Sequence, residues 1–400
     1  MSTRISTSSI HQTALAAMLQ QQAALSRLQN QIASGTRVQT PADDPIAAVH
    51  ILELQRTQSE ATQFGKNSDV VKSRLTIEEQ ALGDTGTLLQ QVQELTVQAN
   101  SSTLSASDRQ SIVTSLQSHL DELTAIANRK DGNGEYLFSG YATLTQPFST
   151  DSSGNVAYAG DQGSRLLQIS PSQRVADGHS GSDVFMSTPQ GNGKFVTSAN
   201  ASNTGAGTID VGTVTNAAAW VPDNYSVNFT SATTWEVRDS TNTLVTSGAY
   251  QAGAAIQFKG VSVSITGTPA SGDSFGVAKS GTENIFSTIK GVITSLQQPA
   301  GDDVGRAKLA TALGGALQQL SQHTDHILSV RSEVGSRLST LDDADTARDN
   351  QNLDLSTSIS QLRDVDYATA VTQMNQQLLG LQAAQQSYTK ISQLSLFNYL

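Results

Sequence analysis

Two pairs of polar residues have the types and the spacing that acid–base or metal chemistry requires. Asp43 and Asp44 are adjacent carboxylates that could share a proton or hold a cation. The prolines around them favour a structural role, in which Asp44 caps a helix that begins with Pro45. His323 and His326 lie three residues apart on a predicted helix, but zinc needs at least a third ligand from a nearby element. We therefore interpret the two histidines as part of a solvated helix face and predict no metal site.

Two glycine-containing loops could bind calcium or expose a nucleophilic serine, but neither has the surrounding sequence that the function requires. Asp131-Gly-Asn-Gly-Glu135 begins like a calcium loop, yet its acidic spacing does not extend to a later bidentate glutamate. Gly178-His-Ser-Gly181 lies among strand-like alternation, without the strand, turn and helix that expose a nucleophilic serine. The sequence also lacks cysteine, a P-loop and a His-Glu-x-x-His motif. It therefore predicts no catalytic residues, no cofactor and no enzymatic activity.

Charge and hydropathy narrow the range of partners. A net charge of −11 argues against a nucleic-acid-binding protein, which would carry a basic stripe. No run of 18 apolar residues exists that could be inserted into a membrane. The N-terminal segment, Met1–Thr7, lacks the apolar core of a cleaved signal peptide.

Proline and glycine divide the chain into three regions. The ranges 46–146 and 300–400 contain no proline, as long helices require. Twenty of the 31 glycines lie in the range 132–281, where apolar and polar residues alternate as in Tyr225–Phe229. The predicted fold is mainly α at both ends, with long antiparallel helices, terminal helices that pair as a coiled coil, and an inserted all-β domain.

We predict three domains from these regions. Residues 1–44 and 356–400 form a terminal helical assembly domain. Residues 45–140 and 282–355 form a bundle of long helices with a β-hairpin. Residues 141–281 form an all-β insert that faces solvent and could consist of two lobes. In this division a long helix ends near Asn350, before the last helix.

Two apolar stripes at opposite ends of the chain predict the helix pair. The spacing of each alternates between three and four residues or repeats every seven, as in a coiled-coil seam. The stripe residues are Met18, Leu25, Leu28 and Ile32 near the start, and Val371, Met374, Leu378, Leu381 and Tyr388 near the end. Both stripes are weak, so two alternatives remain open. The ends could fold only on assembly, or they could form an ordinary intramolecular pair.

The residues around these stripes resemble the flagellin family of bacteria. The N-terminal similarity lies in Leu25–Gly35, Thr36–Val38 and Pro41–Pro45. The C-terminal similarity lies in Leu362–Ala368, and Glu135–Gly140 is similar to the entry of the family's hairpin. The resemblance implies a subunit of a tube whose inner wall is made of paired terminal helices. It also implies secretion in an unfolded state, without a cleaved signal peptide, through the flagellar type III export apparatus.

Two details resemble the hook–filament junction branch of this family. They are the Asp43-Asp44-Pro45 form of the loop and the Leu394–Leu400 ending. This branch implies an extracellular position at the junction and contacts with the first hook-associated protein, flagellin and copies of itself in a ring. It also implies an export chaperone. The alternatives are a flagellin of the filament and, from a different class, a secreted enzyme carried in the β insert.

Overall fold

The computed structural model of the chain describes residues 7–101 and 104–393, so the Leu394–Leu400 ending lies outside the described residues. Within these ranges the helices are α1 Thr7–Ser34, α2 Pro45–Ala99, α3 Ala106–Ala127, α4 Ile285–Gln297, α5 Asp303–Arg363 and α6 Tyr367–Gln393. The two longest have 55 and 61 residues, which corresponds to about 80 and 90 Å. None of the described helices has an apolar stretch that could cross a membrane.

The strands all lie between α3 and α4. They are β1 Phe148–Thr150, β2 Val156–Tyr158, β3 Leu166–Ser170, β4 Gln173–Ala176, β5 Thr188–Pro189, β6 Phe195–Ala199, β7 Ala206–Ile209, β8 Thr213–Val214, β9 Tyr225–Ser231, β10 Thr234–Arg238, β11 Leu244–Ala249, β12 Ala255–Phe258, β13 Val261–Thr268, β14 Ser274–Lys279 and β15 Thr282–Glu283. The predicted fold class, helical at both ends around a β region, is therefore confirmed.

The chain divides into two compact units. The terminal unit contains residues up to 66 and from 344 onward, and the central unit contains residues 67–343. The long helices α2 and α5 each contribute residues to both units. The three domains predicted from the sequence stay a prediction.

The predicted end of the long helix near Asn350 is wrong, because α5 continues to Arg363. No glycine or proline occurs between Ser336 and Arg363, and aspartate or asparagine alone does not stop a helix. The buried side chain of Ile359 lies beyond the predicted break and continues to pack in the terminal unit.

The larger sheets of the central unit pack around one apolar core. A five-stranded antiparallel sheet has the order β11-β10-β9-β14-β6, and a second sheet has the order β12-β13-β7. Along β9 every second residue is buried, as the alternation in the sequence predicts. The core residues include Phe195, Tyr225, Val227, Phe229, Val261, Ile265 and Phe275.

A second core of the central unit joins helices to the smaller hairpins. Ser105 caps α3 through a capping box, in which the backbone N–H of Ser105 and of Asp108 each donates to the other's side chain at 3.1 Å. Helix α3 packs on α4, and four buried phenylalanines fill the adjacent space: Phe138, Phe148, Phe185 and Phe286. Phe185 belongs to a π-helical turn, Ser182–Met186, which the alternating pattern did not predict.

The prediction of a solvated face at the histidines is wrong for His323. Its side chain is fully buried, and its Nε2 atom lies 2.9 Å from the Thr288 hydroxyl. Burial, and to a lesser degree His326, lowers the pKa of His323 to about 3. His323 lies three residues after Leu320 and four before Ile327, so it continues their apolar row. His326 donates from Nε2 to the carbonyl of Asp183 at 2.8 Å.

Candidate assembly interface

Helices α1 and α6 pack against each other within one chain. The ring of His11, near the start of α1, meets the ring of Tyr388, near the end of α6, at a centroid distance of 5.5 Å. At the opposite ends, Tyr367 lies beside Gly35, so the two helices are antiparallel. A Cβ atom at Gly380 would lie 2.7 Å from the amide nitrogen of Gln21, which shows how closely the helices approach. Of the two alternatives left open by the sequence, the structure shows the intramolecular pair.

The predicted stripe residues are buried to different degrees in this pair. Leu25 is buried, and Val371 is 39% exposed. The others are partly buried: Met18, Leu28, Ile32, Met374, Leu378, Leu381 and Tyr388. On α6 the row of covered positions begins at Ala370 rather than Val371 and passes through Ala384. Small alanines allow the helices to approach closely, and a pattern search for large apolar residues does not find them.

The pair leaves apolar side chains uncovered. On α1, Leu15 is 51% exposed and Leu19 is 57% exposed, and their spacing of four places them on one face. On α6, Leu379 is 67% exposed. An apolar face of this kind on a two-helix element marks a surface that another element can cover.

A short backbone ladder joins the end of α1 to the start of α6. Arg37 N donates to Arg363 O at 2.6 Å, and Val365 N donates to Gly35 O at 3.0 Å. Arg37 also donates from its guanidinium to Leu362 O at 2.8 Å. Gly35 has φ +71°, a conformation that favours glycine. Both helix breaks are thus fixed against each other by hydrogen bonds.

The two aspartates of the loop accept hydrogen bonds from its backbone. Asp43 accepts from Thr40 N at 2.9 Å, and Asp44 accepts from Ala47 N at 2.9 Å, the arrangement that caps a helix beginning at Pro45. These backbone hydrogen bonds are the main reason that the pKa of each carboxyl lies below its usual value. Both groups are therefore ionised at neutral pH and act as acceptors in the turn.

The sequence alone did not show that Thr36–Val38 and Leu362–Ala368 lie against each other. Thr36 and Asp364 form an antiparallel bridge between these two segments. Just beyond it, Val38, Ala47, Ile51 and Ile359 form a small buried core. The sequence contained one indication of this contact, namely that each segment lies at a break between a long helix and a terminal helix.

Comparisons with known families agree with this arrangement. Residues 5–143 match the model of the bacterial flagellin N-terminal helical region, and residues 308–400 match that of the C-terminal helical region. Residues 198–279, for which sequence reasoning found no relative, match the D2-like domain of flagellar hook-associated protein 1.

Individual relatives match over nearly their whole length. FlgL of Xanthomonas campestris is 36% identical, with a TM-score of 0.73, over 77% of this chain and 99% of that chain. The flagellar junction protein FlgL of Legionella pneumophila is 34% identical, with a TM-score of 0.72, over 79% of this chain and 100% of that chain. Flagellar hook-associated protein 3 of Salmonella typhimurium is 26% identical over 98% of both chains.

Flagellins match over a much shorter part of the chain. The flagellin of Bacillus subtilis is 38% identical over 112 residues, 27% of this chain and 36% of its own length. The hook-associated relatives cover the helices and the β region together. The chain belongs to the family of flagellar hook-associated protein 3, FlgL.

Proposed function

We propose that this chain joins the hook to the filament of the bacterial flagellum as a structural subunit that assembles through α1 and α6. The observation that carries the proposal is the terminal helix pair, in which α1 packs on α6 and Leu15, Leu19 and Leu379 stay exposed. The Legionella relative is itself described as a flagellar junction protein.

The pair can act as an assembly element because it leaves large apolar side chains exposed on both of its helices. Helix α6 has 27 residues and extends about 40 Å. Covering a leucine side chain stabilises by roughly 1.5–3 kcal/mol, and the pair exposes three such side chains. Contacts of this size are weak in a pair of subunits, since association has an entropic cost. In a closed ring each subunit makes them on two sides, so assembly becomes cooperative.

The family comparisons support contacts on both sides of the junction. The helical ends are similar to flagellin, and the β region is similar to a domain of hook-associated protein 1. A subunit with both similarities can present to each neighbour a surface that resembles the neighbour's own. We therefore name as partners the first hook-associated protein, flagellin and copies of this chain in a ring.

The route to this extracellular position is part of the same proposal. It is unfolded export through the flagellar type III apparatus with the help of an export chaperone, as the resemblance of both helical ends to flagellins implies. The role is mechanical and requires neither catalysis nor a cofactor. A flagellin role is less well supported, because flagellin similarity covers only about a quarter of the chain.

Electron microscopy of flagella tests the function. We expect a strain without this protein to assemble hooks that end without filaments, because flagellin then lacks the surface on which it begins to assemble. Immunogold labelling of the wild-type strain should give a narrow band at the hook–filament boundary. Label along the whole filament would contradict the junction role and favour a flagellin.

A further inference from the structure

A buried histidine of the central unit bridges the two longest helices. His179 lies between β4 and the π-helical turn Ser182–Met186. Its Nδ1 atom is 2.8 Å from Oε1 of Glu78 on α2, and its Nε2 atom is 2.8 Å from Oε2 of Glu333 on α5. The His179 and Glu78 side chains are 5% and 2% exposed. One ring thus holds a loop residue against two helices.

The two contacts together determine the protonation state of the ring. A neutral imidazole has one N–H and one lone pair, so it can donate to only one of two carboxylates. The other nitrogen would then direct its lone pair at a carboxylate oxygen. Both contacts become hydrogen bonds only if the ring is an imidazolium ion.

Charged groups surround this ring on every element packed against it. Besides the two glutamates, Arg337 of α5 lies 3.7 Å from Glu333, and Arg74 of α2 lies 3.5 Å from Asp177. The larger network contains the anions Glu78, Asp131, Glu135, Asp177 and Glu333 and the cations Arg74, Arg165 and Arg337, with Asp183 lining the adjacent cleft. Acidic groups outnumber the arginines, so the network gains from one more cation.

Solvent protons can reach the ring without unfolding of the core. A polar cleft of about 470 Å³ is lined by His179, Glu333, Arg337, Ser182 and Asp183. The Glu333 side chain is 64% exposed. The Nε2 side of the ring therefore faces a group in contact with water.

We propose that His179 is a proton-operated latch, which holds the loop residues 178–181 against α2 and α5 when its ring is charged and loosens them when it is neutral. Loss of the proton removes one of the two hydrogen bonds and leaves the buried Glu78 carboxylate without its cation. The same step removes a positive charge from a network in which anions are already in excess.

The charge balance determines the direction of the pH effect. Burial disfavours the charged ring, but hydrogen bonding and attraction from Glu78, helped by Glu333, outweigh it and raise the pKa of His179. Because the pKa of His179 is higher in the folded state, protonation of the ring stabilises the fold. This stabilisation is complete below the unfolded pKa of about 6.5 and is lost as the pH rises through the folded pKa. More than about one pH unit above 6.5, His323 is neutral in the folded and the unfolded chain and does not contribute to this change.

Titration of the histidine rings by NMR tests the latch in the full-length wild-type protein, with the His179→Gln variant used to assign the resonance. We expect His179 to titrate above the ordinary value of about 6.5 and to carry a proton on both nitrogens at pH 6. A neutral ring at pH 6 would overturn the proposal. If the variant does not fold, the resonance is assigned through its connectivities in the wild-type protein.

Hydrogen exchange tests the release of the loop. After correction for intrinsic rates, we expect amide exchange in residues 178–181 to increase about tenfold when the pH is taken from well below to one unit above the measured pKa of His179, while the buried residues Val184 and Phe185 keep their protection. Equal protection on both sides of that pKa would overturn the release step.

Two variants separate the carboxylate contact from a general change in charge. Glu333→Gln removes the more exposed carboxylate and should lower the measured pKa of His179. Glu122→Gln is the matched control, because Glu122 is an exposed partner of another histidine, His119, on α3. It should leave His179 unchanged. An equal shift in both variants would show that net charge, and not the bridge, controls the ring.

Discussion

Cells that carry the double variant Leu378→Asp/Leu381→Asp should produce hooks without filaments. Both side chains are partly buried in the terminal pair, and an unpaired charge placed there loses its hydration. The loss is repeated in every subunit of a ring, so we expect incorporation to fall by more than tenfold, since 1.4 kcal/mol already corresponds to a factor of ten. Electron microscopy and swimming on soft agar measure the outcome.

The matched control places the same charges elsewhere on the same helix. Gln376 and Gln382 are exposed on α6, so Gln376→Asp/Gln382→Asp should retain filaments. In both proteins the central unit should keep its unfolding midpoint, followed by the fluorescence of Trp220 and Trp235. Normal filaments on the leucine variant, with the variant protein present at the junction, would contradict the role of the helix pair.

Replacing Arg74 by alanine should give the largest loss of stability in the central unit, about 3–5 kcal/mol, as is typical when one member of a buried ion pair is removed. The guanidinium is 5% exposed and lies 2.6 Å from Asp131. It also donates to Tyr136 O at 2.9 Å. Without it the buried Asp131 carboxylate loses its cation, and a backbone carbonyl loses its donor.

Urea unfolding followed by circular dichroism measures the effect of the Arg74 change. The control is Arg331→Ala, which removes an arginine that pairs with Glu79 and is 37% exposed. A pair of this exposure contributes about 0–1 kcal/mol. If both variants lost the same stability, the buried network would not be the structural centre that its geometry indicates.

The local sequence pattern was sufficient to predict the helices and strands that depend on residues close together along the chain. The proline-free ranges contain the long helices α2 and α5, and the alternation at Tyr225–Phe229 lies in β9. Each of these depends on residues within a few positions of one another. The end of α5 was mispredicted near Asn350, although no glycine or proline marks a break before Arg363.

Contacts between distant residues could not be predicted in the same way. His179 and Glu333 are 154 positions apart, and Arg74 and Asp131 are 57 apart. From the sequence, His179 was considered only as part of a loop that did not fit a catalytic motif. The burial of His323 could have been predicted from the sequence, because the residue continues an apolar row with helical spacing. The predicted stripe contained the large residue Val371, whereas the helix pair buries its small neighbour Ala370.

Cross-linking in isolated flagella tests most directly whether the chain assembles through its ends. The chain has no cysteine, so Leu19→Cys/Leu379→Cys introduces the only thiols, at two side chains that a single subunit leaves exposed. After treatment with a short bis-maleimide, we expect products of two or more chains, whereas Leu244→Cys in the β region should give single chains. Assembled junctions whose Leu19→Cys/Leu379→Cys chains remain single would contradict assembly through the terminal helices.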